Sequence, residues 1–305
     1  MTLNDRFTIK VPASTANLGP GFDSMGLAVD LYLTLEVEES QKWDIRSACD
    51  ELKSLPTDET HFICQIAIKT ASNYGIELHP CKIKVDSDIP LARGLGSSAA
   101  AIVAGIELAD TVGKLGLTQQ EKLLIATEIE GHPDNVGASL FGGLVIGSYK
   151  QNEVDILSFS NITFEMVAVI PDEILLTKDS RGVLPAAFSR EEAIQASSTA
   201  NLLVAALLTQ NWEMAGKMME QDLFHQPYRK PLINFYQEIV DIAKSNGAFG
   251  VALSGAGPTV LCFTEKGKGN KLALGIQSAF STMSAKILNI DYRGSRVNMV
   301  ERFIN

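Results

Sequence analysis

The chain of 305 residues has only four cysteines and four histidines, and neither set is arranged for chemistry. Cys49, Cys64, Cys81 and Cys262 show no paired spacing, and with His61, His79, His132 and His225 they make no zinc signature. A disulfide framework and a structural zinc site are thereby excluded as organising features. No uncharged apolar run reaches ~20 residues, so no segment is suited to span a membrane as a helix. Met1-Thr2-Leu3-Asn4-Asp5-Arg6 lacks the basic and apolar regions of a signal peptide, and a cytoplasmic protein with reduced thiols is expected. Positive charge is also short: 26 Lys and Arg stand against 36 Asp and Glu, a net charge of −10. That balance disfavours nucleic acid or an anionic membrane as partner. A phosphorylated ligand stays open, because backbone N–H groups and a few placed cations can hold one. With 46% hydrophobic and 20% charged residues the chain reads as globular, long enough for two modest domains or one large one.

What is present concentrates in residues 89–100. An alternating segment at 81–86 reads as a half-buried strand, and an Ala-, Ile- and Val-rich run from Ala99 to Asp110 has helical spacing. Between them lies Pro90-Leu91-Ala92-Arg93-Gly94-Leu95-Gly96-Ser97-Ser98-Ala99-Ala100. Gly94 and Gly96 allow positive φ and a close backbone approach. Ser97 and Ser98 can cap the helix, whose first N–H groups suit a phosphate. The string is not a P-loop, because no Lys-Ser or Lys-Thr follows the last glycine, and the glycine spacing is not that of a dinucleotide fingerprint. Read alone, it is equally a capped helix after a turn.

Along the chain, 7–11 reads as a strand stopped by Pro12, and 12–23 as a polar, glycine-rich loop. Strands are expected at 31–38 and 41–48, and a helix at 58–73 with Gly75 as its stop. Thr118-Gln119-Gln120-Glu121 is a capping box for a helix that runs to Glu130 and ends at Gly131. Glu128 and Glu130 sit unfavourably at that C-terminus. They are either solvated glutamates or, for one of them, a ligand to a divalent cation together with a serine hydroxyl. His132-Pro133-Asp134-Asn135 reads as a turn before a buried strand at 140–146. The polar stretch 151–161 marks a crossing between two halves, 1–158 and 159–305. In the second half, strands are expected at 163–170, 249–253, 259–263 and 285–291, and helices at 189–208, 212–220 and 270–280. Ser254-Gly255-Ala256-Gly257-Pro258 makes a further glycine turn.

The string 90–100 resembles the phosphate loop of the GHMP kinases. Pro12-Ala13-Ser14-Thr15-Ala16-Asn17-Leu18-Gly19-Pro20-Gly21-Phe22-Asp23 resembles the first motif of one branch, the homoserine kinases, and 254–258 the third glycine motif. The resemblance covers nearly the whole chain. It implies an α+β fold, with an N-terminal ribosomal protein S5 domain 2-like domain and a C-terminal ferredoxin-like domain around one active site. It implies ATP-dependent phosphorylation of L-homoserine in threonine biosynthesis, with ATP and Mg²⁺ required. Residues 90–100 would hold nucleotide, and Ser98 with Glu130 the metal, Glu128 being the alternative. Asn17 and Asp23 would meet the substrate's amino group and hydroxyl chain. Arg181, in Thr177-x-x-x-Arg181-x-x-Leu184-Pro185, and Arg229 would take its carboxylate. The Asp-Asn pair would lie at the reacting hydroxyl, with Asn135 facing it and Asp134 a possible base. His225 is expected to be structural. The helix start near 61 would lie by the adenine, where the family commonly has Asn and this chain has His61. A homodimer is expected. Another GHMP kinase with a mevalonate-like or sugar acceptor, and a non-catalytic metabolite-binding regulator of the same fold, are the alternatives; an RNA-binding S5-like module is disfavoured by charge.

Overall fold

The computed structural model describes residues 6–299. The first half runs β1 (Arg6–Asn17), β2 (Gly21–Glu39), β3 (Asp44–Ser47), α1 (Phe62–Asn73), β4 (Cys81–Ser87), α2 (Ser97–Gly113), α3 (Gln119–Glu130), α4 (Asp134–Phe141), β5 (Leu144–Lys150) and β6 (Glu153–Phe159). The second half runs β7 (Phe164–Ile170), α5 (Thr177–Gly182), α6 (Arg190–Leu208), α7 (Trp212–Glu220), α8 (Gln226–Arg229), α9 (Tyr236–Ser245), β8 (Gly250–Leu253), β9 (Val260–Glu265), α10 (Gly269–Ala279), β10 (Ser284–Leu288) and β11 (Arg296–Met299). Two sheets result. One has the order β11-β1-β2-β4-β3, with β5 and β6 added along the first part of β2. The other is antiparallel, β10-β7-β9-β8.

Period-two alternation sets the layers. Ile9, Val11, Leu35 and Val37 point from the first sheet into a core closed by α1 and α2. In the second sheet Met166, Ala168, Leu261 and Phe263 join that same core. Val167, Val169, Val251 and Cys262, on the opposite face, are covered by α9 and α10. All four cysteines are free; burial pushes the Cys64 and Cys81 thiols up to about 12, which keeps them unreactive.

Several expectations are corrected. Pro12 does not stop β1: a register shift between Pro12 and Ala13 absorbs it, as a bulge tolerates a residue without an N–H, and the strand continues to Asn17. The loop expected over 12–23 shrinks to the short connection around Leu18, Gly19 and Pro20. Residues 134–141 are helix α4, not a turn followed by a strand, and β5 begins only at Leu144. Its sequence, Asp-Asn-Val-Gly-Ala-Ser-Leu-Phe, is too short for helical spacing to separate from a buried strand. The crossing 151–161 is largely β6, joined to β5 through Gln151 and Asn152, both at positive φ as a two-residue hairpin turn requires. Finally, β11 returns to the first sheet beside β1, so the second half supplies an edge strand to the first layer.

Asp291 fastens that return. It accepts from Tyr32 Oη (2.8 Å), from the N–H groups of Arg293 and Gly294, and from the Arg296 guanidinium at 3.0 Å. Burial pushes its carboxyl up, but these donors together outweigh that and hold it below 3.8. Asp291→Asn is expected to cost about 2–4 kcal/mol of unfolding free energy at pH 7. Because the native pKa is depressed, the stabilisation is complete above 3.8 and lost as pH falls through the lower native value. Urea unfolding of both proteins should therefore show the difference shrinking in that acid window.

Candidate active site

The phosphate-type loop owes its shape to backbone geometry. Ala92, Gly94 and Gly96 have φ of 53°, 77° and 70°. Gly96, not a serine, is the N-cap of α2, and Ser97 and Ser98 form its first turn. A Cβ on Gly94 would overlap the carbonyl oxygens of Ser254 and Gly257, and one on Gly96 would strike Ser14. The loop is pinned from outside: Ser14 N–H donates to Leu95 O (3.2 Å) and Ser254 Oγ to Gly94 O (2.6 Å). Arg93 adds a clamp, donating to Leu91 O, Pro171 O and Asp172 O at 2.7–3.1 Å.

Between the two halves this loop borders a cavity that also touches Asn17, Asp23, Glu130, Asn135, Arg181 and Arg229. Asp23 and Arg181 face each other in a two-pronged pair, 2.8 and 3.1 Å. Arg229 is 2% exposed and donates only to neutral groups: Ser180 O (3.2 Å), Gly255 O (2.9 Å) and His225 Nδ1 (3.3 Å). Among the described residues no carboxylate lies within 4 Å of its guanidinium. Burial, and then Arg181, lower its pKa to about 10. On the opposite wall Ser98 Oγ donates to Glu130 Oε2 at 3.2 Å. Burial raises the Glu130 carboxyl above 4.5, outweighing the lowering by nearby His132 and by the Ser98 hydrogen bond. A hydroxyl and such a carboxylate converging beside a helix N-terminus fit a hard divalent cation that carries phosphates and water.

A second cavity, about 760 Å³ and mostly apolar, opens on the far side of Ser97 and Ser98; Leu55, His61, Ile63, Leu91 and Ala101 help to line it. His61 caps α1, its Nδ1 accepting from Ile63 N–H at 3.3 Å. The ring proton therefore resides on Nε2, which is buried without a partner, and burial keeps the imidazole neutral by lowering its pKa.

Comparison with known proteins identifies the family. Residues 61–143 match the GHMP kinases N terminal domain, and residues 203–282 the GHMP kinases C terminal domain. The homoserine kinase of Bacillus licheniformis is 50% identical over 90% of this chain and 90% of its own. That of Bacillus pumilus is 48% identical over 94% and 93%. The chain belongs to the homoserine kinase family of the GHMP kinases. The solved homoserine kinase of Cytophaga hutchinsonii superposes with a TM-score of 0.85 at 26% identity, covering 97% of this chain and 98% of that one.

Within this family fold, the residues expected from sequence divide by placement. Ala92, Gly94, Gly96, Ser97, Ser98, Asp23, Glu130, Asp134, Asn135, Arg181 and Arg229 all border the central cavity. Glu128 is exposed and outside it, which leaves Glu130 beside Ser98. Leu95, Ala99 and Ala100 are buried in the core, so only their backbone can face a ligand. Arg93 spends its guanidinium on carbonyls, Leu91 borders the apolar cavity, and Pro90 lies in a separate groove. Asn17 borders the cavity, yet its side chain braces the loop: Nδ2 donates to Gly255 O (3.2 Å) and Oδ1 accepts from Asp23 N–H (3.0 Å). Asn135 Oδ1 accepts from Ser14 Oγ at 3.0 Å, which turns the amide's N–H groups elsewhere. Asp134 is 1% exposed and accepts from Asn135 N–H (2.6 Å) and His132 Nδ1 (2.5 Å). His132 is the residue that sequence reasoning passed over. It borders the cavity, and burial pushes its pKa down while the bond and charge of Asp134 prevail and raise it above 6.5. Its one sequence signal was adjacency to the Asp-Asn pair. His225, buried and neutral at a pKa lowered by burial to about 4, is structural, its ring bonding Gly19 O at 2.9 Å.

Gly94→Ala is expected to weaken ATP binding at least tenfold and to lower stability by about 1–3 kcal/mol, because the new Cβ meets two fixed carbonyls at a positive φ. Isothermal titration with ATP and a denaturant melt measure both.

Proposed function

We infer that the chain transfers the γ-phosphoryl group of ATP to the side-chain hydroxyl of L-homoserine, giving O-phospho-L-homoserine and ADP. The observation that carries this is the pairing of a buried arginine lacking a carboxylate partner with a solvent-reachable aspartate on one cavity wall. A small zwitterion with a carboxylate and an ammonium complements that wall. Arg229 offers its unspent guanidinium N–H groups to the carboxylate, joined by Arg181. Asp23 offers its charge to the ammonium. The Asp23–Arg181 pair is 33% and 39% exposed, so ligand groups can exchange for its members at small net cost.

The nucleotide follows from the two cavities. The apolar one takes the base, with the His61 N–H available to an acceptor nitrogen. The loop and the N-terminus of α2 receive the phosphates between base and acceptor. Ser98 and Glu130 would hold Mg²⁺, which when bound neutralises phosphate charge. Asn135, fixed through Ser14, directs its amide N–H groups to the acceptor hydroxyl or the phosphoryl oxygens. The hydroxyl oxygen bonds to the γ-phosphorus as the bond to the β,γ-bridging oxygen breaks and ADP departs. Such transfers rest on alignment and charge neutralisation more than on a strong base. Asp134, engaged by His132 and its own helix, serves here to fix charge and Asn135, with its remaining oxygen free for the hydroxyl proton.

ADP release from Mg-ATP should require L-homoserine and be absent with mevalonate, galactose or no acceptor, with O-phosphohomoserine as the identified product. Turnover with a different acceptor alone would transfer the protein to a sister activity. Ser98→Ala and Glu130→Gln should each lower kcat by ten- to a thousandfold and raise the Mg²⁺ concentration for half-maximal rate, with thermal midpoints within a few degrees of the parent. An unchanged Mg²⁺ dependence in both would remove them as ligands.

A further inference from the structure

Phe22 does not border the active cavity, yet both of its arginines rest on this ring. The Arg229 guanidinium carbon lies 5.3 Å from the ring centroid and that of Arg181 5.7 Å. Two like charges facing one aromatic ring need a reason, since they repel and one is fully buried. The negative face of the ring attracts each cation and is not drawn away by water. Beside Arg229, His225 stacks on the same ring at 5.4 Å and 23°, while Phe224, itself packed edge-on by Phe188, lies at 6.5 Å. His225 adds no third positive charge, because it accepts from Arg229 at Nδ1 and is neutral. The ring itself is set by the short link from Asn17 to Asp23, which Asn17 braces through the Asp23 N–H.

We propose that Phe22 is a positioning residue for carboxylate recognition: its ring holds the Arg181 and Arg229 guanidiniums at the spacing in which they receive one carboxylate together. The proposal rests on the assignment of those arginines to the substrate carboxylate. Asp23 alone would draw Arg181 aside, and Arg229 has only carbonyls and an imidazole to fix it. The ring is a neutral surface common to both. Removing it leaves the charges in place and loosens their geometry.

The test compares Phe22→Leu and Phe22→Tyr with the parent enzyme. The ligands are L-homoserine as substrate, and L-2-aminobutyrate and 3-amino-1-propanol as competitive inhibitors; the first inhibitor keeps the carboxylate and the second lacks it. Phe22→Leu should raise the KM for homoserine and the inhibition constant of L-2-aminobutyrate about tenfold. It should leave the inhibition constant of 3-amino-1-propanol and the KM for ATP within twofold. Phe22→Tyr, which keeps the ring, should restore both affected constants to within about threefold of the parent. An equal loss for both inhibitors, or a tyrosine variant as impaired as the leucine variant, overturns the proposal. The ATP constant and a thermal melt reveal a folding defect in the leucine variant, and the tyrosine variant then decides alone. The parent enzyme binding the two inhibitors equally would instead remove the carboxylate assignment of the arginines, before any variant is made.

Discussion

Three glycine-rich segments, far apart in sequence, meet backbone to backbone at the centre of this molecule. Ser254 Oγ bridges Gly94 O at 2.6 Å and Thr15 Oγ1 at 2.9 Å, and Gly255 N–H donates to Ala16 O at 3.2 Å. No side chain intervenes where Gly94 abuts Ser254 and Gly257. The close approach lets a loop at positive φ, costly in isolation, persist as one well-defined shape. It also joins the halves, because the third segment lies between β8 and β9 while the other two belong to the first half of the chain. Arg93, next in the chain to Gly94, repeats the join by reaching the carbonyls that follow β7. Pre-formed backbone donors need little reorganisation when a phosphate arrives, which is how a kinase converts rigidity into alignment.

Around that junction the charges are divided by side. The chain is acidic overall, yet the cavity has Arg181 and Arg229 with Asp23 on one wall, and the α2 N-terminus with Glu130 on another. Bulk charge and local charge have opposite tasks here: the first limits nucleic-acid binding, the second sorts the ends of small ions. Burial strengthens each local effect by removing water from competition. It raises Glu130, lowers Arg229 and His225, and leaves His132 to Asp134. Of these, Glu130 and Arg229 border the cavity with charges that a partner of opposite sign would relieve, whereas His225 is settled by Gly19 and Arg229, and His132 by Asp134.

Local signals were legible in the chain where the physics is local. Thr118 with Glu121, and the αL cap at Gly131, are found in the structure as the sequence implied, because a cap depends on residues within one turn. α7 has the expected bounds, 212–220, for its amphipathic spacing is complete within nine residues. α4 and β6 were not legible: short apolar segments do not declare their period, and neighbours decide. Pro12 misled for the same reason, since a bulge is a property of two paired strands and not of one. At the site, the resemblance to the GHMP kinases pointed to Ser98, Glu130, Asp23 and the two arginines. His132 lay unmarked, because its partner Asp134 gives it a role only through the geometry at the start of α4.

Residue order determined the class of chemistry through the family's motifs, since a glycine loop opening a helix and a matched set of charged residues survive as patterns whatever the packing. The family membership rests on those same patterns. Which atoms remain available was decided only by tertiary structure. Asn17 and Arg93 have ligand-type side chains, yet folding spends them on carbonyls and a neighbouring N–H. The resemblance assigns Arg229 to a carboxylate, but only folding buries it against a ring and three neutral acceptors. Glu128 and Glu130 are two positions apart, and helix α3 turns one to water and the other to Ser98. A hydrogen-bonding group can be used once, and only the contacts between distant segments settle where.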